Sequence, residues 1–470
     1  MRYLVLAPEA LVGAAALAVL LLGRIAWPGP ALRRFLPLAT AIVVVVALGL
    51  ELWAGAPLTT YFDGALVQDR FALFAKASAL VIAGVAVASA DWAAEDSLHL
   101  GLAMPLLAAF GVMVAASAAD MVGLWAGLEL AAASAVVMIS LRRPDLGLRL
   151  LVIGGVASSL LLVGLAFLYA STGNADLTAI RDVLASRTPT LALAIPMLLL
   201  LAGLALRAGL APFHVGPLPI GLGASPLGAG LLIGLVAVAA STVGIKLVAA
   251  LAPAPMVYAP YVSVVAAVAM VGGGGAALAV RSPRPKMAYL AVAQLGWVAA
   301  GVATHFRAGI AASLFLLAAF GVAATCGPAL LGRAEAGETA VAGLGAVRPV
   351  RAAGVALAVL SLAGVPPLGG FFGELAVAAA LAESGNFVLL GLGLAGAVMS
   401  AVAAIAILRV LYIQSPIEEA RRGAAAALPA VNLFSTAGAV VFCVLIAGYG
   451  LLGNPILGLA DQGAEALGLR

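Results

Sequence analysis

Five ionisable residues stand where an apolar environment should exclude them. Glu129 lies in the middle of MVGLWAGLELAAASAVVM. A charge at the centre of a membrane helix costs about 2.5–3.5 kcal/mol on insertion scales, so such a residue faces the bundle interior and marks an ion path by default. Burial and a neighbouring cation act in opposite senses on proton binding by a carboxylate, and that competition makes it a switchable carrier. Lys246, in STVGIKLVAAL, is suited to a relay because a buried lysine can gain and lose a proton. Arg207 is not, since a guanidinium stays charged in proteins, and it reads as a fixed charge that tunes Glu129 or Lys246. His214, in APFH, can exchange protons near neutrality or simply cap a helix break, and Glu374, after the second break, offers the same choice between relay and structural group. For each of the five, a structural ion pair or hydrogen bond is the competing reading. Lys76 and Arg409 read as side chains that snorkel to the interface, and Asp145 with Arg149 as an i,i+4 pair on the inside surface.

Such groups need interrupted helices to hold them. LALRAGLAPFHVGPLPIGLGASP (Leu204–Pro226) and SLAGVPPLGGFFGEL (Ser361–Leu375) are broken in similar ways. Proline removes a backbone donor and clashes with the preceding turn, and glycine loosens what remains. Freed carbonyls in hydrocarbon must be satisfied by neighbours or water, and paired broken helices in corresponding halves of a chain point to an ion path on internal repeats. Pro212 and Pro366 then fall in the fourth helix of each of two inverted five-helix repeats, helices 4–8 and 9–13.

Composition requires a bilayer around these elements. The 470 residues are 64% hydrophobic and 9% charged, against about 45–50% and 25% in a soluble domain. Mean hydropathy is +1.19. The fold class is all-α and integral to the membrane, with about 14 transmembrane helices on a ruler of roughly 20 apolar residues each: 4–23, 35–54, 71–90, 98–118, 121–140, 149–171, 190–214, 224–251, 260–280, 287–304, 308–332, 351–381, 386–412 and 430–453. The first reads as a transmembrane helix rather than a removed signal peptide, because Glu9 interrupts it and no small-residue cleavage pattern follows. With the N-terminus outside, the inside loops collect Arg24, Arg33, Arg34, Arg142, Arg143, Arg149, Arg281, Arg284, Lys286, Arg333, Arg348, Arg351, Arg421 and Arg422, while outside segments hold Arg2, Arg70, Arg181, Arg187, Arg307 and Arg470. The positive-inside rule therefore places both termini on the non-cytoplasmic side of a bacterial-type inner membrane. The segments Arg333–Arg351 and Gln414–Leu428 could hold a surface helix at most. Cys326 and Cys443 stand in apolar runs with no thiolate or histidine cluster, which leaves no zinc or iron–sulfur framework. The net charge of +4 is spread over short loops and does not indicate nucleic acid.

The residues, taken in order, resemble the antiporter-like membrane subunits of respiratory complex I, and most closely subunit N of NADH–quinone oxidoreductase. The resemblance runs along nearly the whole chain: LAPEALVGAAALAVLLLG at the start, FDGALVQDRFALFAKASALVI at the third helix, AADMVGLWAGLELAAASAVVM at the fifth, DLGLRLLVIGGVASSLLLVGLAFLYASTGNADL after it, GLALRAGLAPFH at the seventh, KMAYLAVAQLGW entering the tenth, and SLAGVPPLGGFFGEL at the broken twelfth. What the resemblance implies is a fourteen-helix subunit with half-channels joined by a polar axis, in which Glu129 pairs with the group at Arg207, Lys246 is the central relay and Glu374 marks the outer exit. The departures are specific. The family's seventh-helix lysine is Arg207 here, the tenth-helix histidine is Gln294, the twelfth-helix lysine is Glu374, and VGPLPIGLGASP replaces an acidic, aromatic loop.

The resemblance further implies proton translocation coupled to electron transfer elsewhere. This chain would bind no cofactor, with NADH, FMN, iron–sulfur clusters and quinone in partner subunits. Its partners would be other membrane subunits, lipid and protons, with no nucleic acid. The alternatives are a subunit of an Mrp-type cation/proton antiporter or membrane-bound hydrogenase, or a divergent structural subunit. The expected organisation is an N-terminal three-helix segment (1–97), a first five-helix repeat (98–251), a second (252–412), and a C-terminal helix and tail (413–470).

Overall fold

A computed structural model of the chain describes residues 5–25, 30–56, 58–89, 97–186, 193–331, 341–414 and 433–469. In chain order these form α1 (Ala7–Ile25), α2 (Pro30–Ala54), a hairpin of β1 (Thr59–Tyr61) and β2 (Leu66–Gln68), α3 (Arg70–Ser89), α4 (Leu98–Ser117), α5 (Met121–Ser140), α6 (Pro144–Thr172), α7 (Leu177–Ser186) and α8 (Ala194–Ala208). A 3₁₀ turn (Phe213–Val215) leads to α9 (Pro217–Gly223) and α10 (Pro226–Gly230), and a π-turn (Leu231–Leu235) joins α10 to α11 (Val236–Ala250). Then follow α12 (Pro255–Ala279), α13 (Pro283–Ala303), α14 (Arg307–Leu331), α15 (Leu344–Val347), α16 (Pro349–Leu362), α17 (Gly369–Glu383), α18 (Phe387–Tyr412), α19 (Leu433–Leu451) and α20 (Gly453–Ala466).

Among the described residues ten helices are long and apolar enough to cross a membrane, or up to twelve if each of two bent pairs counts as one span. Their ends follow from local chemistry. Asp120 caps α5 by accepting from the Gly123 N–H at 2.7 Å, Pro144 opens α6 where its missing N–H is harmless, and Gly173, at φ 73°, closes it. Small residues then let the helices approach. A Cβ at Gly111 of α4 would lie 2.5 Å from the Gly127 carbonyl oxygen of α5, and one at Gly203 of α8 would lie 2.8 Å from the Ala157 oxygen of α6. Burial sorts the bundle: 94% of the apolar window of α14 is enclosed but only 33% of those of α2, α6 and α18. Hence α14 is the axis, and Val45, Leu151, Val156, Val402 and Ile405, all exposed, are available to lipid.

Three features differ from the sequence reading. Among the described residues a short β1–β2 hairpin stands beside the helices, pairing Thr59 with Gln68 and Tyr61 with Leu66. Two polar-faced helices, α7 and α20, had been read as loop and tail. They are tied together: the Arg181 guanidinium of α7 donates to the Leu467 carbonyl just beyond α20 at 2.8 Å, and Arg307 of α14 makes a two-pronged pair with Asp461 of α20 at 2.8 and 2.6 Å. Finally, Asp145 does not pair with Arg149. It takes a two-pronged bond from Arg143, 3.0 Å on each arm, because both lie at the exposed start of α6. Of the orientation-setting residues, Arg2, Arg187, Arg333, Arg421, Arg422 and Arg470 lie outside the described residues, as do 332–340 and 415–428 in the two longest loops.

Candidate functional site

The first expected break is real. α8 ends at Gly209, whose φ of 70° suits only glycine without strain, and α8 and the helix that follows are bent by 46°. Arg207 lies in the last turn of α8, buried, and its guanidinium contacts the Glu129 carboxylate of α5 as a salt bridge. Glu129 is 30% exposed along its side chain, whereas Arg207 is 6% exposed, so the cation is the more deeply held partner. The space for that guanidinium comes from Gly154 of α6, where a Cβ would lie 2.7 Å from Nη1. Arg207 Nε is buried without a hydrogen-bond partner. Two small cavities touch this residue: one of about 10 Å³ between α5, α6 and the π-turn, and one of about 20 Å³ reaching Ala291 and Leu295 of α13. Each is near the size that holds a single water.

Lys246, in the last turns of α11, meets no carboxylate directly. Its ammonium donates to the carbonyls of Ala116 at 2.7 Å and Ala118 at 2.5 Å, closing the C-terminal end of α4, where the helix dipole favours a cation. It also stands 5.6 Å from the centre of the Phe71 ring at the start of α3. Next to Phe71 is Asp69, outside the membrane helices. Burial pushes its carboxyl up from the ordinary range, opposed by the Ala72 N–H and then by the charges of Lys246 and Lys76.

His214 sits in the 3₁₀ turn, its ring edge-on to Tyr289 of α13 at 5.9 Å, with Nδ1 unpartnered. At the second break, α16 stops at Leu362 and α17 restarts at Gly369. Glu374 is buried on α17, and its carboxyl folds back onto Gly364, where a Cβ would lie 2.1 Å from Oε2; Gly364 also holds φ at 65°. Among the described residues Glu374 forms no ion pair. Gln294 of α13, fully buried, donates to the Ser361 carbonyl at 2.8 Å and so satisfies one of the acceptors released where α16 ends. An apolar cavity of about 90 Å³ is bordered by α8, α11, α12 and α13, with Ser241 and Tyr261 in its lining.

The structure thus brings Glu129 and Arg207 into contact, sets Lys246 on α4, and leaves His214 and Glu374 at their separate breaks. It also corrects Lys76. This residue does not snorkel to the interface: it is 0% exposed, donates to Gln68 Oε1 at 2.6 Å and pairs with Glu9. Gln68 in turn donates to Glu51 Oε1 at 2.8 Å. Glu51 is the residue that sequence reasoning passed over, although Gly49–Leu52 repeats the tetrapeptide GLEL that surrounds Glu129.

Fold and site together define a polytopic helical membrane protein whose buried charges gather at helix breaks and helix ends. Residues 118–400 match the family described as NADH:quinone oxidoreductase/Mrp antiporter, TM. NADH-quinone oxidoreductase subunit N of Granulibacter bethesdensis is 30% identical, over 86% of this chain and 87% of that one. The chain belongs to this family. In fold it is similar to a chain of respiratory complex I from Thermus thermophilus, with TM-score 0.79 and 23% identity over 97% of this chain and 99% of that chain. A chain of the Mrp complex from Dietzia sp. gives TM-score 0.84 and 18% identity over 99% and 98%.

Proposed function

We propose that the chain is a proton-translocating membrane subunit of a complex I-like NADH–quinone oxidoreductase. NADH, FMN, iron–sulfur clusters and quinone would be handled by partner subunits, and this chain would bind none of them. Its 30% identity, over 86% of this chain, to a relative named subunit N supports this over an antiporter of the Mrp type. Counting α1 and the interrupted α16–α17 pair with the twelve spans gives fourteen. On that count 98–251 and 252–412 form two inverted five-helix repeats after the three-helix segment 1–97, and 413–470 closes the chain. Both termini then face the non-cytoplasmic side of a bacterial-type inner membrane.

The observation that carries the proposal is the Glu129–Arg207 pair at a broken helix, flanked by water-sized cavities. A proton arriving on Glu129 cancels the carboxylate and leaves Arg207 charged, because a guanidinium has no neutral form to adopt. Stripping a buried charge of its partner costs about 3–5 kcal/mol. Moving one charge against 100 mV takes about 2.3 kcal/mol. Parting and re-forming this pair is therefore sufficient to drive a proton step. Lys246 is the relay on the α4 side, His214 serves exchange at the first break, and Glu374 serves release at the second.

The test is NADH-driven proton pumping in membrane vesicles. Glu129→Gln and Lys246→Met should each lower protons moved per NADH while the complex still assembles. Wild-type yield from both would overturn the proposal.

A further inference from the structure

Three helix ends converge at one end of the bundle. Glu9 lies in the first turn of α1, Glu51 in the last turn of α2 and Lys76 in the second turn of α3, with Gln68 of β2 between them. The Lys76 ammonium donates to Glu9 Oε1 and to Gln68 Oε1, the latter at 2.6 Å. The Gln68 amide nitrogen donates to Glu51 Oε1 at 2.8 Å and to the Gly55 carbonyl at 3.3 Å. Gln68 therefore has its oxygen committed to the cation and its nitrogen to the carboxyl. Glu9 touches the ammonium directly, and Glu51 reaches it only through an amide. Two carboxyl groups share one cation in a site where Glu51 and Lys76 are both 0% exposed. If both acids were ionised, a net negative charge would be left in the interior. The second oxygens, Oε2 of Glu9 and of Glu51, are buried and accept no hydrogen bond.

We propose that Glu9, Lys76, Gln68 and Glu51 form a proton-binding site that holds one exchangeable proton between the two carboxyl groups. The bound proton makes the site neutral and resides mainly on Glu51, the carboxyl without direct contact to the ammonium. Among the described residues no other ion pair reaches the site, and Asp63, in the turn of the hairpin, is exposed. α4 contributes only His99, at its start. On α14 the one charged group is Arg307, which is paired with Asp461 and Glu465 of α20. α19 carries no charged residue, and Arg24, Arg33 and Arg34 lie at the opposite ends of α1 and α2. Arg70 opens α3 on its exposed side. Beyond the site, Asp69 feels the charges of Lys246 and Lys76 together. Gain or loss of the proton is thus felt at the relay lysine, and this consequence, unlike the occupancy, rests on the transport reading.

The experiment is infrared difference spectroscopy of the assembled complex in lipid nanodiscs at neutral pH, following the deuterium-sensitive C=O band of protonated carboxyl groups. Glu51→Gln should remove one carboxyl equivalent, since Glu9 and Lys76 remain as a neutral pair. Glu9→Gln should remove one as well, because Glu51 then ionises against Lys76. The double variant should remove that same one and no more. Lys76→Met should add one equivalent, as both acids take up protons. Loss of two equivalents in the double variant, or of none, overturns the proposal. The readout needs no NADH and no transport, so a chain that shows the shared proton yet does not pump refutes the transport reading alone.

Discussion

Replacing Gly154 by alanine should loosen the Glu129–Arg207 pair without altering any charge. The added Cβ would lie 2.7 Å from Arg207 Nη1, where ordinary contact begins at 3.4 Å. The guanidinium must therefore retreat, by about 1 Å for comfortable packing. At an effective dielectric of about 20, two unit charges moved from about 3 to about 4 Å apart lose roughly 1.4 kcal/mol. That is close to a tenfold change in the balance between paired and parted states. The neighbouring position supplies the control, because a Cβ at Gly155 meets nothing within 4 Å. Both substitutions gain the same helix propensity, about 0.8–1.0 kcal/mol for alanine over glycine, so propensity cancels in the comparison. The assay is proton uptake per NADH oxidised in inverted vesicles. Gly154→Ala should lower the yield while Gly155→Ala retains it. Equal yields from the two variants, with both complexes assembled, would refute the place of this pair in the proton path.

Gly364→Ala should be more damaging, since it forces a side chain at φ 65° and sets its Cβ 2.1 Å from Glu374 Oε2. The backbone conformation alone costs about 1–2 kcal/mol, and a lowered unfolding temperature in detergent, compared with Glu374→Ala and the double variant, measures the clash through its non-additivity. Gln294→Leu removes the 2.8 Å donor from the Ser361 carbonyl, which keeps only the longer bond from the Gly364 N–H at 3.2 Å. A loss of about 0.5–1.5 kcal/mol is expected, and unchanged thermal stability would show that the side-chain bond adds nothing to the backbone one. For Asp69 the sign runs against alkaline stability. Burial raises its proton affinity in the folded state, so the unfolded chain releases the proton first and stability declines as pH climbs above the ordinary aspartate range. Asp69→Asn keeps an acceptor for the Ala72 N–H, now bonded at 2.7 Å, and should flatten that part of the stability-against-pH curve; an unaltered slope would assign it elsewhere.

How much of this was legible depended on whether the signal was local. Glu129 stood out because one acidic residue interrupts a long apolar run, and Arg207 because it borders a Gly/Pro break; their contact follows once α5 and α8 both pack on α6. Glu51 carries the same GLEL signal as Glu129, but it lies near the end of its apolar run, where a charge passes as a boundary residue. Lys76 was misread for the same reason. Only the meeting of α1, α2, α3 and the hairpin shows that its amine is enclosed, and nothing in FALFAKASAL encodes those long-range neighbours. The hairpin strands, Thr59–Tyr61 and Leu66–Gln68, are too short for an alternating pattern to register. The helices α7 and α20 are held by charges that reach across the bundle end, which a single pass along the chain cannot pair.

The π-turn at Leu231–Leu235 places an extra residue just before α11, the helix that carries Lys246. Gly230 and Gly234 lie so close to Thr325 of α14 that a Cβ on either would sit about 2 Å from one of its oxygens, at 2.1 and 2.0 Å. Such a turn is a register defect, and defects can travel. Absorbing the extra residue into regular helix turns everything beyond it by about 100° and advances it by about 1.5 Å. Lys246 would then swing off the carbonyls of Ala116 and Ala118 while the rest of α11 stayed helical. The helix is built like a threaded rod with one slipped thread, and the glycines against Thr325 are where it can click from one setting to the next.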